Sequence, residues 1–134
     1  MKRILSSLVV FLAVSAFALG AEVGKVTPAE AAKAVADGKA VLVDVRESDE
    51  WAETGVAEPA LLLSKSDFEN NGEGWKVMLE KNAEKRIILY CRSGNRAGQV
   101  AEALAKQGKS VANAGGFDDW KKAGLPVRKV KAAE

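Results

Sequence analysis

Ile87-Ile88-Leu89-Tyr90-Cys91-Arg92-Ser93-Gly94-Asn95-Arg96 passes from an apolar run directly into a polar, glycine-containing loop, and a helix-patterned run from Ala97 to Leu104 follows. An apolar run of this length, flanked by such a loop, reads as a buried strand. Cys91, the only cysteine of the chain, therefore stands between a strand and the start of a helix. The first N–H groups of a helix have no intrahelical partner, and its dipole favours negative charge there. Arg92 and Arg96 add two cations. A thiol in such a place is favoured as the thiolate and can hold an anion on or beside its sulfur. A lone cysteine is more often a small buried hydrophobe. Here the polar and glycine neighbours argue for a reactive one.

Working outward, Arg86 to Tyr90 is predicted as a strand and Asn95 to Lys106 as a helix closed by Gly108, with Val100, Ala103 and Leu104 facing inward. Before them, Gly24 to Thr27 makes a short strand. Thr27-Pro28 with Glu30 has the form of a capping box with proline at the first helical position, and that helix ends near Gly38. Ala40 to Val45 is a near-continuous apolar run, as a buried parallel strand requires. Ser48, Trp51 and Ala52 suggest a capped helical turn, and Ala60 to Leu63 a short strand. Asp67 to Gly74 reads as a loop because of Gly72 and Gly74. Trp75 to Lys81 reads as a helix. Ser110 to Asn113 is a last short strand, Gly115-Gly116 a loop, and Phe117 to Ala123 a final helix. Strands alternating with helices predict an α/β fold: a parallel sheet with helices on both faces. Ligands of such sheets bind beyond the carboxyl ends of the strands, where both Cys91 and Arg46 lie.

The chain has 134 residues, enough for one core. Its first twenty residues are expected to lie outside that core. Lys2 and Arg3 give a basic start, Ile4 to Leu19 is almost wholly apolar, and Ala18-Leu19-Gly20 supplies small residues at a cleavage site. This predicts a signal peptide over residues 1–20 and a periplasmic or secreted protein; the alternative is an anchor retained in the membrane. Its two basic residues, taken from twenty Lys and Arg, leave eighteen against eighteen Asp and Glu. Net charge near zero gives no reason to expect nucleic acid. The remaining basic cluster, within residues 128–134, reads as a solvated tail. No histidine is present, which removes Ser-His-Asp and Cys-His catalysis and argues against a zinc site. No cofactor or metal is expected.

Three pieces in order carry a family resemblance: Val43-Asp44-Val45-Arg46 followed by Glu50-Trp51; the loop Cys91 to Arg96; and Gly115-Gly116 with Trp120 and Gly124-Leu125-Pro126 beyond. With them the chain resembles the rhodanese-like sulfurtransferases over residues 24–127. The resemblance implies an α/β fold with a five-stranded, mainly parallel sheet and helices on both faces, and a cysteine that carries a persulfide sulfur. It makes Cys91 the nucleophile, with Arg92, Ser93, Gly94, Asn95 and Arg96 around the substrate and Asp44 and Arg46 in structural support. Arg92 is expected at the mouth. Arg96 is expected either to contact substrate or to pair with a carboxylate. Where the family usually has Gly-His-Ile-Pro-Gly-Ala, this chain has Thr54-Gly55-Val56-Ala57-Glu58-Pro59-Ala60. The stretch Lys65 to Trp75 is longer than the minimal pattern and is expected to rim the site.

The expected reaction moves a sulfane sulfur from a donor such as thiosulfate to a thiol or cyanide. It needs oriented N–H donors and cations rather than a proton-transferring base, so a chain without histidine suits it. Phosphatases of this fold have a loop one residue longer; the shorter loop here suits one sulfur atom better than a phosphate group. The alternative is a sulfur-carrier or redox-binding module that serves a sulfur-accepting protein with little small-molecule turnover.

Overall fold

The computed structural model describes residues 22–131, so the expected signal segment lies outside the described residues. Five strands form one sheet: β1 (Gly24–Lys25), β2 (Ala40–Asp44), β4 (Leu61–Leu62), β5 (Arg86–Cys91) and β6 (Val111–Gly116). Their order is β1-β6-β5-β2-β4, and every pairing is parallel. The helices are α1 (Pro28–Ala36), α2 (Ser48–Thr54), α3 (Lys65–Glu69), α4 (Glu73–Lys81), α5 (Asn95–Lys106) and α6 (Phe117–Lys122). Two core clusters lie on opposite faces of the sheet. Trp75, Met78, Val100 and Leu104 bury α4 and α5 against one face, and Ala31, Phe117 and Trp120 bury α1 and α6 against the other. The alternating side chains of β2 and β5 feed both clusters, which is why both strands are apolar apart from Asp44 at the end of β2 and Arg86 at the start of β5.

Local signals place the elements. Thr27 Oγ1 accepts from Glu30 N–H while Thr27 N–H donates to Glu30 Oε1, closing the capping box at α1. Three expectations need correction. Lys65–Glu69 is helical, and α4 begins at Glu73, where a loop is expected over Asp67 to Gly74. Ser64 caps α3 by accepting from Asp67 N–H at 3.1 Å, and Phe68 packs edge-on against Trp75, so capping and burial outweigh the two glycines. Gly115-Gly116 is the end of β6 rather than a loop, because Gly116 pairs with Cys91 across a local irregularity in β5. Arg128, expected in the tail, belongs to the folded unit. It lies in β7 (Val127–Arg128), which pairs antiparallel with β3 (Val56–Ala57), and its guanidinium donates to Glu58 O and Ala60 O. No helix among the described residues is long and apolar enough to cross a membrane.

Candidate active site

β5 delivers Cys91 at its carboxyl end, and the chain then folds back over the sulfur before entering α5. Cys91 is 1% exposed and belongs to the core cluster of the α5 face. Its sulfur is nonetheless served by polar groups. The Gly94 N–H donates to Sγ at 3.1 Å and the Ala97 N–H at 3.4 Å. The thiol is thus buried and held under oriented amides at a helix N-terminus, in the geometry of an anion-holding loop. Two glycines allow the fold-back. Gly94 sits at φ +95°, where a side chain is strained. A Cβ on Gly116 would lie 2.3 Å from the Arg92 carbonyl oxygen, so only glycine lets β6 approach the loop this closely.

The four arginines and lysines near the loop differ in their commitments. The Arg46 guanidinium is 2% exposed and grips Asp44, itself fully buried, at 2.9–3.2 Å. It also donates to Thr54 Oγ1 at 2.8 Å and to Gly55 O at 2.9 Å, and it lies 4.5 Å from the Phe117 ring centroid. Burial works against its charge, but the hydrogen bonds and field of Asp44 prevail and hold its pKa above the ordinary value. The adjacent Tyr90 phenol is pushed up by burial and by the Asp44 carboxylate, and it accepts from Ala57 N–H. Asp44 and Arg46 therefore tie the end of β2 to the end of α2.

Arg96 makes a two-pronged pair with Glu50, at 2.6 and 2.9 Å, and so takes the carboxylate-pairing role rather than reaching outward. Lys121 pairs with Asp118 at 3.1 Å. Arg92 and Ser93 are exposed, as is Asn95. Arg92 borders a cleft of about 300 Å³ together with Glu50, Thr54, Phe117 and Lys121. Cys91 and Arg92 to Arg96 lie together between β5 and the first turn of α5. Sequence reasoning did not single out Glu53, Thr54, Phe117 or Lys121 as neighbours of the loop, since nothing in their local spacing connects them to it. A larger apolar groove of about 700 Å³ lies elsewhere, between β4 and α4, and contains no residue of the loop. Among the described residues no group of His, Cys, Asp or Glu side chains could hold a metal ion.

The Glu50–Arg96 pair has a pH signature. The Arg96 hydrogen bonds outweigh partial burial and hold the Glu50 carboxyl at about 2, against an ordinary 4.5. The pair's contribution is complete above pH 4.5 and is lost as pH falls towards 2. Because both groups are partly solvated, the loss should be about 1–3 kcal/mol, below the full linkage value. Glu50→Gln should therefore be less stable than the parent at neutral pH by that amount, and the difference should vanish near pH 2. Urea unfolding of both proteins across this range measures it; a constant difference at all pH values would mean the pair is not what Gln removes.

Comparison with known proteins gives a consistent picture. A family model described as a rhodanese-like domain matches residues 27–123. A mitochondrial protein of Schizosaccharomyces pombe, provisionally named a thiosulfate sulfurtransferase, is 32% identical over 96 residues, covering 63% of this chain and 65% of that protein. The chain spans 49–65% of the length of the curated relatives it matches. Among solved structures, the polysulfide-sulfur transferase homodimer of Wolinella succinogenes superposes with a TM-score of 0.64 at 25% identity, covering 86% of this chain and 85% of that one. A rhodanese-related protein of Thermoplasma volcanium has the same fold, with a TM-score of 0.65 at 24% identity over 78% of this chain and 97% of that one.

Proposed function

The chain belongs to the rhodanese-like domain family, and from that premise we propose that it is a sulfurtransferase whose Cys91 carries the transferred sulfur as a persulfide. The observation that supports this reading best is the pair of loop N–H groups, from Gly94 and Ala97, aimed at a sulfur in the core. Among the described residues no side-chain base hydrogen-bonds to the sulfur, and none is needed. The Cys91 thiolate attacks the outer sulfur of a donor such as thiosulfate; the donor's S–S bond breaks and sulfite leaves with the bonding electrons. The loop amides then face a persulfide anion. An acceptor thiolate or cyanide attacks the terminal sulfur, and the electron pair returns to Cys91. The donor oxidises Cys91 to the persulfide in the first step and the acceptor restores the thiolate in the second, so the cycle leaves no net oxidation of the protein and no redox cofactor is required.

Arg92 is the exposed cation beside the mouth and would draw in a small anionic donor. Inorganic polysulfide is the second donor class, supported by the likeness to the Wolinella protein. The basic, apolar start of the chain supports action outside the cytoplasm, in a periplasm or beyond the cell.

Intact-mass spectrometry tests the reading. After exposure to thiosulfate or polysulfide and removal of excess donor, the protein should be heavier by one sulfur atom, located on the peptide of Cys91. Cyanide should remove that atom as thiocyanate. Absence of the added sulfur with both donors, in protein whose Cys91 is free to react with iodoacetamide, would overturn the proposal. Sulfur retained against cyanide but released to a protein acceptor would select the carrier reading instead.

A further inference from the structure

Asn113 lies on β6, partly buried, and does not line the cleft beside Arg92. Its amide is engaged at both ends. Oδ1 accepts from the Gly115 N–H at 2.9 Å, and Nδ2 donates to the Gly94 carbonyl oxygen at 2.9 Å. Because a backbone N–H can only donate, Oδ1 must be the end facing Gly115, and the donor must be the end facing the loop. Gly94 is the residue whose N–H points at Cys91 Sγ. It is also a glycine at φ +95°, the loop position with most freedom to turn away. The contact with Asn113 removes that freedom by fixing the carbonyl on the other side of the same Cα. Gly98, one turn into α5, donates to the same carbonyl, and a Cβ on it would come within 3.3 Å of Asn113 Nδ2.

We propose that Asn113 is a positioning residue for Cys91: its amide holds Gly94 so that the Gly94 N–H stays aimed at the sulfur, and Gly98 lacks a side chain because one would displace that amide. The effect on turnover rests on the sulfurtransferase reading; the effect on the thiol does not. Losing an aligned hydrogen bond to a sulfur anion is worth about a factor of ten. Asn113→Ala should lower kcat for thiosulfate and cyanide about tenfold with KM for the donor unchanged, since the cleft and Arg92 are untouched. It should slow alkylation of Cys91 by iodoacetamide at neutral pH by a similar factor. Asn113→Asp keeps the contact with Gly115 but turns an oxygen towards the Gly94 carbonyl, so it should be at least as slow.

Gly98→Ala separates positioning from folding. Alanine in a helix interior is favoured over glycine, so the melting temperature should hold or rise. Alkylation and kcat should still fall, by roughly three- to tenfold, because the new methyl pushes the Asn113 amide. In an Asn113→Ala background the same substitution should cost nothing further. The proposal is overturned if the two substitutions act independently, or if Gly98→Ala leaves both rates at the parental value. Should Asn113→Ala fail to fold, the Gly98→Ala rates and melting temperature decide alone. If the parent protein transfers no sulfur, the functional reading fails while the alkylation rates still decide the role of Asn113.

Discussion

Cys91→Ser should lower sulfur transfer by more than about a thousandfold in a protein that remains folded. A serine oxygen at neutral pH is protonated and a far weaker nucleophile, and it cannot hold a terminal sulfur through transfer. The fold should tolerate the change. Serine is close to cysteine in size, and its hydroxyl oxygen can accept from the Gly94 and Ala97 N–H groups that now meet Sγ. The buried site therefore keeps its hydrogen bonds, and melting should shift by only a few degrees. Circular dichroism and thiocyanate production, measured on the same sample, give both quantities. Turnover within tenfold of the parent would remove Cys91 from the reaction. Wholesale unfolding would show that the core contribution of the sulfur exceeds its hydrogen bonding.

Asp44→Ala should produce the largest loss of stability. It leaves the Arg46 guanidinium, 2% exposed, hydrogen-bonded only to Thr54 Oγ1 and Gly55 O, with no carboxylate in direct contact and only the field of Glu50 to balance its charge. Removing one partner from a buried ion pair costs about 3–5 kcal/mol, because the guanidinium left behind keeps its charge and can neither pair nor reach water. For a domain of this size that is a drop in Tm of roughly 10–20 °C. Replacing both residues by apolar ones of similar volume should restore much of the loss, since the desolvation cost of both charges then disappears. Thermal and urea unfolding of the single and double variants decide. A single-variant loss under about 1 kcal/mol would mean that water reaches Arg46 in the native state.

The parts of this architecture that were legible in the sequence are those written in adjacent residues. The capping box at Thr27 and Glu30 and the span Asn95–Lys106 were readable because capping chemistry and the 3.6-residue period are local. The cysteine loop was readable for the same reason: a strand, a polar turn and a helix follow one another without a gap. The capping signal at Ser64 and Asp67 was equally local, but Gly72 and Gly74 masked it; what fixes α3 is the contact of Phe68 with Trp75. Other features depend on distant pairs. Glu50 and Arg96 are 46 positions apart, and no local pattern says that they meet. The β3–β7 ribbon has two residues on each side, too few to show alternation. Gly115-Gly116 carries the composition of a turn and becomes strand only because β5 offers it a partner.

The burial of Cys91 sets which neighbours the sulfur can have. A disulfide requires two sulfurs about 2.05 Å apart with their β-carbons near 3.8 Å. With the side chain 1% exposed and the fold-back from Arg92 to Gly94 above it, two folded copies of this chain cannot bring their sulfurs that close. Oxidising conditions that cross-link a surface thiol into covalent dimers should therefore leave this one unpaired. Small molecules that slip beneath the loop reach the sulfur directly, whereas a protein acceptor has to present its thiol on a segment slim enough to enter, so steric size governs what the cysteine meets.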